Sequence, residues 1–535
     1  MKNHRLPGMG LLALIVAFVA VSCTDFTELN TPSDRLPADN LDASQIGFQF
    51  AQSQFYGVRG GGGYQIGKNL FGDLYAQYFA TTAENFDSDQ NVPVGSWVNS
   101  AWNFIYGTPA PQIQGLIDFT AGADLPVQNA IAKIWKVQIF HTITDQWGPI
   151  IYSEYGNGET SVPYDSQAEV YSAMFDDLVT AIGVLDANLN QAPFQGHDLV
   201  YDGNVTQWIK FANSLRLRLA MRVVYADETL AKDHAEAAVS HSIGVIEDNA
   251  DNAMVATGTN SRNQMTTITN WGEFRMSATM ESYLEGYDDP RADRMFNNPV
   301  NEDWDDELRG LRNGLPRPDK GVTVNPLYSD VDTRWLPESS GAFHPYEVMR
   351  AAEVWFLRAE GALRGWNMGV ISAQEAYETG IESDMSNPEY DVVAQGDIDA
   401  YISSTATPAD YTNPDQPSWD IAAMTDVPVA WDLLGGFERN LEQIITQKWL
   451  ALYPDGIEAW AEARRTGYPK MFPRIASDNG DVPEDVMMKR LPFADVEVSN
   501  NSAAVEAAAG LLGGADNAAT ELWWDKKTTN NENMQ

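Results

Sequence analysis

The sequence predicts an all-α protein, mainly helical, in which helix pairs form a right-handed scaffold and long loop-rich insertions form a ligand side. Three observations carry this expectation. Apolar residues recur three or four apart in stretches that come two by two. Serine and glutamate stand three apart at the head of two of these stretches, where a capping box starts a helix. Segments rich in Gly, Pro, Asn and Asp, longer than about 12–15 residues, separate the pairs, and loops of that length in a compact protein usually carry function.

In chain order, the first element is an address. Lys2 and Arg5 precede the apolar run Leu11–Val21, which is shorter than the roughly 20 residues a membrane span needs. Ala20-Val21-Ser22-Cys23 follows, with the only cysteine of the 535-residue chain. A small residue before a lone Cys at the end of such a run is the lipobox arrangement, in which the thiol accepts a diacylglycerol and the chain is cut before it. A cleaved signal with an incidental Cys is the alternative. Each buried CH₂ contributes about 0.8 kcal/mol, so two or three acyl chains would anchor the protein stably. Residues 1–22 are thus expected to be a lipoprotein signal peptide, 23–45 an acylated Cys23 with a polar, Pro-containing tether, and 46–535 a single α-helical domain. With one Cys, no intrachain disulfide can form.

Helices are predicted over Gly67–Thr82 and Trp97–Phe119, the latter interrupted at Gly107-Thr108-Pro109. Gln128–Trp147 pairs with Ser166–Leu189, where Ser166 and Glu169 make a capping box. Val205–Tyr225 pairs with Glu228–Glu247. Tyr346–Trp366 alternates small and large residues and pairs with Ser372–Met385, capped by Ser372 and Glu375. Leu441–Leu452 is stopped by Pro454-Asp455-Gly456, with Gly456 read as tolerating positive φ, and Ile457, Trp460, Ala461 and Arg464 resume helical spacing. A helix-turn-helix of about 34–40 residues with aromatic and small positions is how tetratricopeptide-type units read. Short strands are conceivable near Val322–Val324, but the spacing does not demand a sheet.

Composition narrows function. Lys+Arg number 34 and Asp+Glu 75, a formal charge of −41. Such a surface repels nucleic acid, so no nucleic-acid partner is expected. The six histidines include no HExxH, and neither a GxSxG elbow nor a Walker A sequence occurs. No catalytic residues are singled out, and the chain is read as not an enzyme, although 75 carboxylates leave a glycan hydrolase as a weaker alternative. No cofactor is expected. The acidic run Asn301–Glu307 offers hard oxygen ligands for a structural Ca²⁺, but it lacks EF-hand spacing, and a solvated loop is the favoured reading.

The insertions 84–96, 190–204, 249–275, 297–343 and 386–436 hold the better candidates. A carbohydrate site needs flat aromatic faces beside hydrogen-bonding side chains, because a sugar offers an apolar face and an edge of hydroxyls. Asn85, Phe86, Trp97 and Asn99 cluster at the first long loop. Trp271 and Arg275 lie at the end of the third, and Trp304 and Trp335 lie in the fourth. For each Trp taken singly, burial in the core is as good a reading.

Several segments also resemble the SusD/RagB family of nutrient-binding outer-membrane lipoproteins. They are QKWLALYPDGIEAWAEARRTGYP around residues 447–469, Lys133-Ile134-Trp135 through Thr144-Asp145-Gln146-Trp147-Gly148-Pro149-Ile150, Asn213–Ala220, Asp289-Pro290-Arg291, Glu347–Gly361, Lys489–Phe493 and Trp523-Trp524-Asp525-Lys526. The resemblance implies four tetratricopeptide-like helix pairs acting as a docking scaffold. It implies a lipoprotein of the outer membrane, facing the cell exterior, with a SusC-like TonB-dependent transporter as partner. It also implies non-catalytic capture of oligosaccharides, or of peptides in a RagB-like receptor. The family has no common catalytic residues, so only a region carries over, the loop 84–97 and its neighbours. Arg216, Arg218 and Arg222 are expected to bond carboxylates between helices. The segment Thr24–Glu28 is only thinly acidic, so outward display is implied by the resemblance alone.

Overall fold

The computed structural model describes residues 45–159, 161–300, 307–335, 343–390 and 392–527. Cys23, the signal segment, most of the tether, and the acidic run up to residue 306 with Trp304 lie outside them.

The described chain is mostly helical. Helix α1 (Ile46–Gly57) leads into a π-helical segment, Gln65–Asp73, and a three-residue strand β1 (Phe79–Thr81). The helix expected over Gly67–Thr82 is therefore wrong in its second half, where the backbone extends to pair with a strand almost 200 residues away. Helices α2 (Gly95–Gly107) and α3 (Pro109–Gly122) break at Thr108, as the Gly-Thr-Pro sequence predicts.

Four helix pairs follow. Helix α4 (Pro126–Trp147) packs on α5 (Gln167–Asp186), and α6 (Val205–Arg222) on α7 (Glu228–Val239). After β2 (Ala253–Val255), α8 (Met265–Trp271), β3 (Phe274–Met276), α9 (Ala278–Tyr287), the single turn α10 (Ala292–Met295) and β4 (Tyr346–Met349), helix α11 (Ala351–Leu363) packs on α12 (Ala373–Met385). After α13 (Gln395–Ile402), α14 (Gly436–Leu452) packs on α15 (Gly456–Thr466). Two short helices, α16 (Asp495–Asn500) and α17 (Ser502–Ala509), close the order. Both predicted capping boxes form: Ser166 with Glu169 and Ser372 with Glu375 each satisfy the other's backbone amide.

Two corrections concern strands. Tyr346–Met349 is not the first turn of a helix but β4, antiparallel to β2, and β1 pairs antiparallel with β3. Val322–Leu327 is a 3₁₀ helix rather than a strand. Strands this short owe their existence to partners distant in sequence, which local periodicity cannot reveal.

Gly456 is a further correction. Its φ is not positive. A Cβ there would lie 2.3–2.5 Å from Asp73, including its backbone N and Cα. The Gly therefore lets α15 touch the π-helical segment, and Asp73 Oδ1 accepts the Gly456 N–H at 3.2 Å.

One large apolar core runs from Ile46 to Trp524 and contains Trp102, Trp135, Trp147, Trp208, Trp449, Trp460 and Trp524. Between the helix pairs runs a buried charge network. Arg218 Nε donates to Glu353 at 2.7 Å, tying α6 to α11. Arg222 bonds Glu458 and ties α6 to α15. Lys448 on α14 lies 3.1 Å from Glu462. Arg218 and Arg222 thus do what the sequence suggests. Arg216 does not: its Nε donates to His234 Nδ1 at 2.9 Å, on a ring stacked against Phe175.

Candidate functional site

The β1–β3 pair brings two long loops side by side. Thr82 N donates to the Glu273 carbonyl at 3.1 Å, and Thr81 Oγ1 donates to the same oxygen at 2.8 Å. A third segment joins them. Gly321 N donates to the Thr82 carbonyl at 2.9 Å, and the Asn325 amide donates to the Gly272 carbonyl at 2.8 Å. A fourth supports the back: the Asn91 amide donates to the carbonyls of Val482 and Pro483. Residues 82–91, 271–275, 313–325 and 474–483 thus make one loop-built face on the helical scaffold.

The first loop is held from within. Asp89 accepts the Asn313 amide at 2.8 Å and the Gly314 N–H at 3.0 Å, and Asn91 takes a left-handed φ of 63°. Lys320 Nζ donates to the Phe86 carbonyl at 3.0 Å, and burial lowers its pKa. Arg317 forks onto Asp87 at the surface.

On this frame Phe86 is 7% exposed and stands 5.8 Å from the ring of Phe274. The Trp97 ring, half-buried, meets Phe86 edge-on at 5.4 Å and 89°. Asn85, in the turn before Phe86, is exposed. Trp271 closes α8 with 53% of its surface open, and Gly272 turns the chain through a φ of 67°. Glu273, next to it, accepts from Gln65 at 2.7 Å, and burial raises its carboxyl.

The remaining candidates take other places. Arg275 is 7% exposed and donates to the carbonyls of Asn325 and Phe274, so it fastens the loops from inside. Asn99 Oδ1 accepts the Val496 N–H at 3.2 Å and joins α2 to α16. Trp335 is 2% exposed, rests on His344 with ring centres 5.0 Å apart, and lines an interior cavity. Sequence reasoning missed Gln65 and Glu273, which bond each other two residues from Trp271, and Lys320, which holds the Phe86 loop from inside. Lys320 lies in a flagged insertion, but its carbonyl partner is 234 residues away.

Among the described residues no group of three or more His, Cys, Asp or Glu is placed to hold a metal ion. The Ca²⁺ reading of residues 301–307 falls almost wholly outside them. No described helix is long and apolar enough to cross a membrane.

Four packed helix pairs carrying a hydrogen-bonded loop face define a helical-scaffold protein whose loop surface is built from long segments between its helices. The chain belongs to the SusD-like family, described as Susd and RagB outer membrane lipoprotein, whose model matches residues 28–525. Its fold matches a chitin-binding SusD homolog from Flavobacterium johnsoniae, with 35% identity, a TM-score of 0.84, and coverage of 91% of this chain and 100% of that one. A SusD homolog from Bacteroides vulgatus is 35% identical with a TM-score of 0.83, covering 90% of this chain and 97% of its own. One from Bacteroides thetaiotaomicron is 34% identical with a TM-score of 0.81, covering 91% and 100%. No curated protein matches the chain.

Proposed function

We propose that this chain is a non-catalytic, lipid-anchored receptor on the outer face of the outer membrane. It captures an oligosaccharide and delivers it to a SusC-like TonB-dependent transporter. The observation that carries the reading is Trp271, a large aromatic left 53% exposed on a face whose loops are otherwise fastened by hydrogen bonds. An open indole ring offers the flat apolar face on which a sugar ring stacks. Gln65, Glu273 and Asn85 stand ready for hydroxyls, and the half-buried Trp97, in the first turn of α2 and edge-on to the buried Phe86, adds a second aromatic beside the first loop. The chitin-binding relative at 35% identity makes N-acetylated glucosamine oligomers the first ligands to try. A rigid site with few mobile groups costs little ordering entropy on binding, which suits capture and release.

The test is tryptophan fluorescence of a soluble form starting at Thr24, titrated with chito-oligosaccharides, other neutral and acidic glycans, and a peptide pool. Saturable quenching by one glycan class, without product release, is the expected result. A response to peptides alone would give the RagB-like reading instead. Shortened products would give the hydrolase. Co-purification from native membranes tests the transporter.

A further inference from the structure

A cavity of about 50 Å³ lies where the turn after α1, the π-helical segment, α4, β4, Trp335 and the α14–α15 turn converge. A water needs about 10–15 Å³ of such space, so the cavity takes a small ion with one or two waters and no sugar ring. Its wall is polar. Arg59 is 4% exposed and sits at a φ of 60°, a strained value for a non-glycine residue. Its Nη2 donates to Thr142 Oγ1 at 3.2 Å, while its Nε has no hydrogen-bond partner in the protein. Two further wall atoms are unpartnered, the Trp335 indole nitrogen and Gln138 Oε1.

The carboxylates of the wall all have cations. Asp455 faces Lys68 at 3.7 Å, Glu347 faces Arg350 at 3.1 Å, Asp145 faces Arg222 at 3.7 Å, and Glu458 also bonds Arg222. Arg218, the other wall guanidinium, is held by Glu353. Arg59 is the wall cation that makes no ion pair among the described residues. Burial pushes its pKa down to about 10, against the more distant pull of Asp455 and Asp73. A buried guanidinium without an ion pair, its Nε–H unbonded, and a buried indole N–H without an acceptor are costly. Two unsatisfied donors in the wall of one small cavity, one of them on a guanidinium that makes no ion pair, suit a negative ligand.

We propose that this cavity is a small-anion site. The Nε–H of Arg59 and the indole N–H of Trp335 donate to a monovalent anion of halide or carboxylate size. The Gln138 amide turns its NH₂ towards that anion. Bound there, the anion ties the α1 turn, the Trp335 turn and α4 together.

The test uses bromide and formate as probes on the protein beginning at Thr24. Crystals grown in bromide should show an anomalous peak within hydrogen-bond reach of Arg59 Nε. Crystals grown in formate should show a planar carboxylate in the same place. At constant ionic strength, bromide should raise the thermal midpoint of the wild type, shift Trp335→Phe less, and leave Arg59→Met unmoved. Water alone in the cavity at high bromide, or an equal bromide shift in wild type and a folded Arg59→Met, would overturn the proposal.

Discussion

Glu360 on α11 grips the guanidinium of Arg465 on α15 through two hydrogen bonds of 2.8 and 2.6 Å, with both side chains out of water. The same guanidinium forks onto Glu462, and Glu360 also takes Arg364 at 2.8 Å. Burial alone would raise the Glu360 carboxyl, but Arg465 and Arg364 overcome it and hold the group at about 2. Arg465→Met strips one partner and leaves two carboxylates buried. It should cost roughly 3–5 kcal/mol, read as a lower urea midpoint. A change below about 1 kcal/mol would mean that the network adds no stability. Because the folded pKa of Glu360 lies below its unfolded value, its contribution is complete above about pH 4.5. It is lost as pH falls towards about 2.

Glu281 has the opposite sign. It is buried on α9, and desolvation pushes it up to about 8 although the Gly310 N–H and Arg309 act the other way. The folded state therefore holds a proton that the unfolded chain has already released, so stability falls as pH rises from about 4.5 through 8. Glu281→Gln keeps an acceptor for Gly310 and removes the titration. Above pH 8 it should stabilise the protein by about 1–3 kcal/mol and flatten the pH profile of the denaturation midpoint. A profile identical to the wild type would contradict the assignment.

Gly456→Ala places a methyl carbon against the backbone of Asp73. Neither the π-helical segment nor α15 can move without disturbing the core, so a loss of about 2–4 kcal/mol is expected. Calorimetry would show it, and an unchanged melting temperature would mean that the two segments separate easily.

Trp271→Ala removes an exposed ring and should leave the melting temperature within a few degrees of wild type, while ligand affinity falls about tenfold or more. Trp97→Ala should lower both affinity and stability, because its ring also covers Phe86. Isothermal titration with the glycan that quenches fluorescence separates the two. Undiminished affinity in both variants would move the site off this face.

The helices were legible because amphipathic periodicity is a local signal. Gln128–Trp147 and Ser372–Met385 match α4 and α12 to within two residues, and the capping boxes at Ser166 and Ser372 form as written. Gly67–Thr82 failed because a helical stripe and a short extended segment look alike over a few residues, and the hydrogen bonds that decide for β1 come from β3. Helix α1 went unassigned although its apolar residues, Ile46 and Phe50 among them, are buried.

The sequence by itself determined the helical class, the lone cysteine at the end of an apolar run, the family, and three of the four segments of the loop face, 474–483 being the one it did not single out. Each of these is written in spacing or in residue type. Tertiary structure alone decided which aromatics are open. Trp335 and Trp271 have similar polar, loop-rich surroundings in sequence, yet one is buried against His344 and the other faces solvent. It also decided that Arg275 spends its donors on backbone carbonyls and that Arg59 does not find a carboxylate. Exposure and pairing depend on segments tens to hundreds of residues apart, and those meet only when the chain is folded.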